Sequence, residues 1–276
     1  MHRFLVLNFI VVVMWLTACV PRGKQMSVAE VDLLSQEHGY SHRVMAGGDF
    51  SLLTVSADVT PVAHGKVLRV YIEGDGLAWR TRRQLSAHPT PVNPLALRLM
   101  LVDPSPDKLY IARPCQFVQT DVCQSRFWSL DRYHEDVVAA VAAVLSQFKQ
   151  SRGYTQVELV GYSGGATVAL LLAAQRDDVL SVRTVSGNLD HAEFCRLHHV
   201  APLSGSLNPI NFTASLQSIP QRHFVGEQDS VVSIDIFNSY FGFFDDPQQV
   251  RAEVVSGVGH REGWLEQWVE LLQRPL

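Results

Sequence analysis

Val157-Glu158-Leu159-Val160-Gly161-Tyr162-Ser163-Gly164-Gly165-Ala166-Thr167-Val168-Ala169-Leu170 reads as an apolar strand, a serine between glycines and the start of a helix. Gly161, Ser163 and Gly165 make the Gly-x-Ser-x-Gly pattern of a nucleophile elbow. Small neighbours there let the backbone turn sharply enough to lift a serine hydroxyl clear of a sheet. Such a short pattern arises by chance in a chain with 18 glycines. It points to nucleophilic chemistry only if the rest of the chain supplies a base, an acid and a sheet.

Upstream of the elbow, Val137, Val141, Val144, Leu145 and Phe148 recur on one helical stripe that runs to Gly153, with Asp131 as its expected N-cap. Phe50 to Val55, Lys66 to Ile72 and Lys108 to Arg113 read as strands, the first two separated by Pro61 and Gly65. Leu95 to Leu101 has helical spacing, and Ser27-Val28-Ala29-Glu30 has the spacing of a capping box for a short helix from Ser27 to His38.

Downstream, Val179 to Val185, Arg222 to Gly226 and Val250 to Val255 read as strands, and Trp264, Trp268 and Leu271 repeat at helical spacing. Strands alternating with helices predict an α/β fold: a mostly parallel, doubly wound sheet covered on both faces. The regularity fails from Gly187 to Ser218, where Asn, His, Pro and Ser dominate. That stretch is too long for a simple connection and reads as a lid-like insertion within a single domain spanning residues 19–276.

Three chemistry-bearing residues each follow a strand. Ser163 follows the first, Asp229 follows Gly226-Glu227-Gln228, and His260 closes Ser256-Gly257-Val258-Gly259. The C-terminal edge of such strands is where open α/β sheets place their sites. A serine hydroxyl needs a base to remove its proton and the base needs an acid to orient it, so the order nucleophile, acid, base has chemical meaning. Asp190, Asp235, Asp245 and Asp246 compete for the acid and His191, His198, His199 and His223 for the base. Only Asp229 and His260 follow a strand at the expected short distance. Glu73-Gly74-Asp75-Gly76 turns at another strand end and can expose backbone N–H groups, or its glycines merely permit positive φ. The histidines raise the question of a metal, but no His-x-x-x-His or paired-cysteine spacing supports one, and no cofactor is expected.

On Gly161-Tyr162-Ser163-Gly164-Gly165, Gly226-Glu227-Gln228-Asp229 and Gly257-Val258-Gly259-His260, the chain resembles the α/β-hydrolase serine enzymes over nearly all of its mature length. The resemblance implies a Ser163–His260–Asp229 triad and an oxyanion hole from the N–H groups of Asp75, with Gly76 as the near alternative, and Gly164. It also implies hydrolysis of an ester or related acyl bond in a small-molecule or acylated substrate. Glu73 departs from the His-Gly that opens this loop in lipases, which sets the substrate apart from theirs. A peptidase, a thioesterase or an acyltransferase uses the same triad, and a non-catalytic, membrane-anchored binding protein on this fold is the reading of a different class.

The N-terminus has Arg3 and then an apolar run from Phe4 to Leu16, too short for a membrane span of about 20 residues. Residues 1–18 therefore read as a signal peptide. Leu16-Thr17-Ala18-Cys19 resembles the bacterial lipobox, which implies acyl chains on Cys19 and a lipid-anchored protein of the cell envelope. Val20 leans toward the outer membrane, facing the periplasm, over the inner membrane; a plain secretory signal is the alternative. The net charge of −4 with no basic block argues against nucleic acid as a partner. In an exported chain Cys115 and Cys123 are placed to bridge, or they are two buried thiols, leaving Cys195 as a small buried residue. The sequence fixes no oligomeric state.

Overall fold

The computed structural model describes residues 23–57 and 67–276. The signal stretch, Cys19, Pro61 and Gly65 lie outside the described residues. After residue 23, Ser27 caps helix α1 (Val28–Gln36) in a full capping box with Glu30. Strands β1 (Tyr40–Gly47) and β2 (Phe50–Ala57) then form an antiparallel hairpin. The expected strand at 66–72 is β3 (Val67–Ile72), followed by a small hairpin of β4 (Trp79–Thr81) and β5 (Gln84–Leu85).

Helix α2 (Leu95–Val102), strand β6 (Lys108–Ile111), a 3₁₀ turn (Ser125–Trp128) and the long helix α3 (Glu135–Arg152) lead to the elbow. The elbow itself joins β7 (Gln156–Tyr162) to α4 (Gly164–Ala173). Strand β8 (Val179–Val185), helix α5 (His191–His198), a 3₁₀ turn (Pro209–Phe212), helix α6 (Thr213–Leu216), strand β9 (Gln221–Gly226), helix α7 (Ile234–Phe241), strand β10 (Val250–Val255) and helix α8 (Trp264–Leu271) complete the chain.

The main sheet runs β1-β2-β6-β3-β7-β8-β9-β10. The first two pairings are antiparallel and every pairing from β6 onward is parallel. Alternation along the strands splits the core into two layers. On one face Leu68, Val70 and Ile72 of β3 pack with Val141 and Leu145 of α3 and Val168 and Leu171 of α4. On the other, Tyr71 packs with Leu97 and Met100 of α2 and with Trp264 and Trp268 of α8. This is the mostly parallel, doubly wound α/β sheet that the alternation of elements predicts.

Two expectations are corrected. Asp131 does not cap α3. Its carboxylate pairs with Arg126 and its carbonyl closes a turn onto the His134 N–H, so the helix begins after His134, whose ring accepts from Asp136. The stretch 187–218 is not irregular throughout. Asp190 caps α5 by accepting from the Ala192 and Glu193 N–H groups, and His191 and His198 ride on that helix. Its polar residues hid the element because five of eight α5 positions hold His, Glu, Arg or Cys.

Candidate active site

The local chemistry of the elbow explains its glycines. Ser163 sits at φ 50°, ψ −119°, a conformation costing roughly 1–3 kcal/mol that persists only when its surroundings hold it. Two backbone bonds do so: the Ser163 N–H donates to the Val185 carbonyl at 2.9 Å and the Asn188 N–H to the Ser163 carbonyl at 3.0 Å. A Cβ at Gly161 would lie 2.5 Å from Ala166 Cα, and one at Gly165 would lie 2.3 Å from the Ile72 carbonyl oxygen. Helix α4 thus starts directly over the strand ends, and its N-terminus points into the site.

The loops after β9 and β10 are laced together. The Gln228 N–H donates to the Val258 carbonyl at 2.9 Å, and a Cβ on Gly226 would meet that same oxygen at 2.5 Å. Trp264 Nε1 donates to the Gly259 carbonyl at 2.9 Å, which ties the His260 loop to α8. The result is a continuous relay: Ser163 Oγ lies 3.1 Å from His260 Nε2, and His260 Nδ1 lies 2.9 Å from Asp229 Oδ2. Asp229 Oδ1 accepts from the Val231 and Val232 N–H groups, both at 2.8 Å. Burial alone would raise the Asp229 carboxyl, but the hydrogen bond and charge of His260 and the Val232 N–H outweigh it and hold it below the ordinary carboxylate range. Asp229 therefore stays an anion, as an acceptor for Nδ1–H must.

The backbone N–H groups of Asp75, Gly76 and Gly164 donate to no acceptor among the described residues. Asp75 and Gly164 abut, with Asp75 Oδ1 only 2.0 Å from where a Gly164 Cβ would stand. Gly76, at φ 64°, is pressed against the Pro89 carbonyl, where a Cβ would come within 1.9 Å. The Asp75 carboxylate is clamped by Arg132 at 2.9 Å, Arg113 at 3.3 Å and the Tyr133 hydroxyl at 3.1 Å. Burial would raise this carboxyl too, but the two guanidinium charges outweigh it and lower it below its ordinary range. The clamp carries a net positive charge directly behind the free N–H groups. Sequence reasoning missed Arg113, Arg132 and Tyr133, because their partner Asp75 lies 38 to 58 positions away.

Glu73 has a local explanation. The buried Glu73 side chain accepts from the Gly74 N–H at 2.9 Å and from the Tyr110 hydroxyl at 3.2 Å. Burial pushes it up to about 7 despite those bonds.

The competing residues are engaged elsewhere. Asp190 accepts from Asn208 and Ser239, and Asp235 from Ser233. His223 is fully buried beside Thr184, and burial pushes it down to about 3. His198 meets the Val231 carbonyl, His199 ends α5 in a left-handed conformation, and His191 is buried with neither ring nitrogen bonded. Cys115 and Cys123 form a disulfide, and Cys195 is a buried thiol that burial pushes up. No group of three or more potential metal ligands occurs among the described residues.

Ser163 and His260 open into a two-lobed cleft of about 270 and 390 Å³. The larger lobe is walled by Leu77, Trp79, Val92, Phe194 and Val232, with Asn188 and Arg132 as polar groups.

No family model matches the chain, nor does any curated protein. Solved structures do. An α/β serine hydrolase homologue from Coxiella burnetii is 17% identical, with 84% of this chain and 93% of that chain covered at a TM-score of 0.55. Est1E from Butyrivibrio proteoclasticus is 13% identical, with 84% and 95% covered at 0.53. A cold-adapted esterase from an Arctic intertidal metagenomic library is 14% identical, with 85% and 92% covered at 0.59. At these identities the likeness is one of architecture, and that architecture is the α/β-hydrolase fold.

Proposed function

We propose that the protein is a serine hydrolase that cleaves a carboxylic ester, or a related acyl bond, through an acyl-enzyme. The observation that carries this reading is the Ser163 Oγ–His260 Nε2–Nδ1–Asp229 relay at 3.1 and 2.9 Å, held at the mouth of a cleft beside unsatisfied N–H donors. Ser163 Oγ attacks the acyl carbon as its proton passes to His260 Nε2, and the carbonyl oxygen becomes an oxyanion facing the Asp75 and Gly164 N–H groups. Collapse breaks the bond to the leaving alcohol, which takes the proton from Nε2. Water then repeats the sequence on the acyl-enzyme and frees the acid and Ser163. Asp229 keeps Nδ1 protonated and offsets the imidazolium charge. The preference for esters leans on the esterases among the structural neighbours and on the apolar walls of the larger lobe.

In this reading the chain is exported and held to a bilayer of the cell envelope by acyl chains on Cys19. More than one chain makes such attachment stable where a single one is marginal. Fluorophosphonate labelling of the purified protein tests the catalytic reading: the wild type labels and turns over activated short-chain esters, and Ser163→Ala does neither. Absence of labelling in the wild type would return the protein to the class of binding modules. Mass spectrometry of the purified protein's N-terminus tests the anchor: a chain that begins at an acylated Cys19 is expected, and a Cys19 without acyl chains overturns it.

A further inference from the structure

Gly23, the first described residue, lines the larger lobe of the Ser163 cleft together with Leu77 and Trp79. It is fixed there. Gln25 donates to the carbonyls of His88 and Thr90, the Met26 N–H donates to Pro91, and Gly23 packs against Val92. Cys19 is four residues earlier, and four residues extend at most about 14 Å.

The lip beside Gly23 is the β4–β5 hairpin, which carries Arg80, Arg82 and Arg83, all exposed. None of the three has a carboxylate partner among the described residues. Arg261, which also lines the cleft, has no carboxylate ion-pair partner among the described residues, and Glu262 accepts from the Arg261 backbone N–H. Trp79 opens the hairpin at 38% exposure, and Val92 is 36% exposed beside Gly23. An indole and an aliphatic side chain among unpaired arginines match the interfacial zone of a bilayer, where Trp sits at headgroup level and each cation gains from anionic lipid. Among the described residues no helix is long and apolar enough to cross a membrane, so this contact is peripheral.

We infer that the β4–β5 hairpin is a docking surface for an anionic phospholipid bilayer, and that the cleft of Ser163 opens toward that bilayer. The anchor proposed at Cys19 holds the cleft mouth within about 14 Å of the lipid, and the arginines turn the hairpin onto the headgroups. Orientation follows from two attachments where one would leave the domain free to tumble. Substrates are then taken from the membrane surface. The docking surface itself does not depend on the chemistry of Ser163.

Trp79 provides the probe, because Trp128, Trp264 and Trp268 are buried. The mature protein, residues 19–276 with its acyl chains on Cys19, is reconstituted with vesicles of phosphatidylglycerol and phosphatidylethanolamine whose acyl chains are brominated, and tryptophan quenching is read. Quenching is expected in these vesicles, and is expected to be lost in Trp79→Phe. Each arginine contributes roughly fivefold to occupancy of an anionic surface, so Arg80→Ala/Arg82→Ala/Arg83→Ala should weaken docking on the order of 100-fold and remove the quenching. The corresponding triple lysine variant should keep it, because the attraction is one of charge. Ser163→Ala should quench like the wild type, which separates this inference from the hydrolase reading. The inference is overturned if the protein floats with the vesicles while Trp79 emission ignores the brominated lipid. It is equally overturned if the triple alanine variant quenches as well as the wild type, or if phosphatidylcholine serves as well as the anionic lipid.

Discussion

Asp75 Oδ1 lies 2.0 Å from where a Cβ on residue 164 would stand, so Gly164 is glycine because Asp75 is in the way. The two proposed oxyanion donors are thereby locked to each other: the side chain of one seats on the Cα of the other. Arg132 and Arg113 hold that side chain, so the spacing of the two N–H groups rests on an ion-pair cluster behind them.

Gly164→Ala should therefore act on catalysis more than on folding. The added methyl displaces Asp75 and parts the donors, which should lower kcat by about 10²- to 10³-fold, the usual effect of losing one oxyanion contact. Steady-state kinetics with an activated ester, alongside a urea midpoint, measures both. Ser163 and His260 keep their geometry, so slow fluorophosphonate labelling should persist.

Asp229→Asn tests the other side of the relay. The Oδ1 bonds to the Val231 and Val232 N–H groups survive in asparagine, so the turn should hold and the urea midpoint should stay close to that of the wild type. The amide cannot keep Nδ1 protonated in the same orientation, and kcat should fall on the order of 10⁴-fold. Asp229→Ala loses the turn bonds as well and should cost roughly a further 1–3 kcal/mol of stability. If Asp229→Asn turned over at the wild-type rate, the assignment of the acid would be lost.

Much of this site is legible in the sequence because strand ends and short-range turn chemistry leave local marks. Ser163, Asp229 and His260 each follow an apolar run by a few residues, and the capping box at Ser27 is written in four letters. What is not legible depends on distant packing. Strand β1 escapes notice because Tyr40–Gly47 is an edge strand with one buried residue and no strong alternation. Asp131 has the residue type of a cap, but Arg126 claims its carboxylate, and nothing local says so. The clamp on Asp75 joins loops after three different strands or turns and has no spacing to betray it.

Glu73 gives stability a pH dependence. Its carboxyl is pushed from an ordinary 4.5 to about 7 by burial, so between those values the native state holds a proton that the unfolded chain releases. Stability from this group is full below about pH 4.5 and is lost as pH rises through 7. Glu73→Gln removes the titration while retaining an acceptor for the Gly74 N–H and the Tyr110 hydroxyl. Relative to wild type, the variant should gain up to about 3 kcal/mol between pH 5 and pH 8. Urea unfolding at the two pH values checks this, and a difference that does not change with pH contradicts it.

The disulfide between Cys115 and Cys123 bears on the same loop through Gln116. This residue is fully buried; its Nε2 donates to the Gly74 carbonyl at 2.8 Å and its Oε1 accepts from the Arg113 N–H at 3.0 Å. It sits between Cys115 and Phe117, both at positive φ, a pair of conformations that need support from outside. The bridge supplies it by closing a short loop, worth about 2–3 kcal/mol in the chain-entropy account. Cys115→Ser/Cys123→Ser should lower the unfolding free energy by about that amount and lower kcat, because Gln116 then holds Gly74 and Arg113 less firmly beside Asp75. Gln116→Ala in the oxidised protein should reproduce the loss of kcat with the bridge intact. Intact mass before and after reduction confirms that the bridge is present. If the double serine variant loses stability but keeps full kcat, the loop is braced by Gln116 alone and the disulfide serves only the fold.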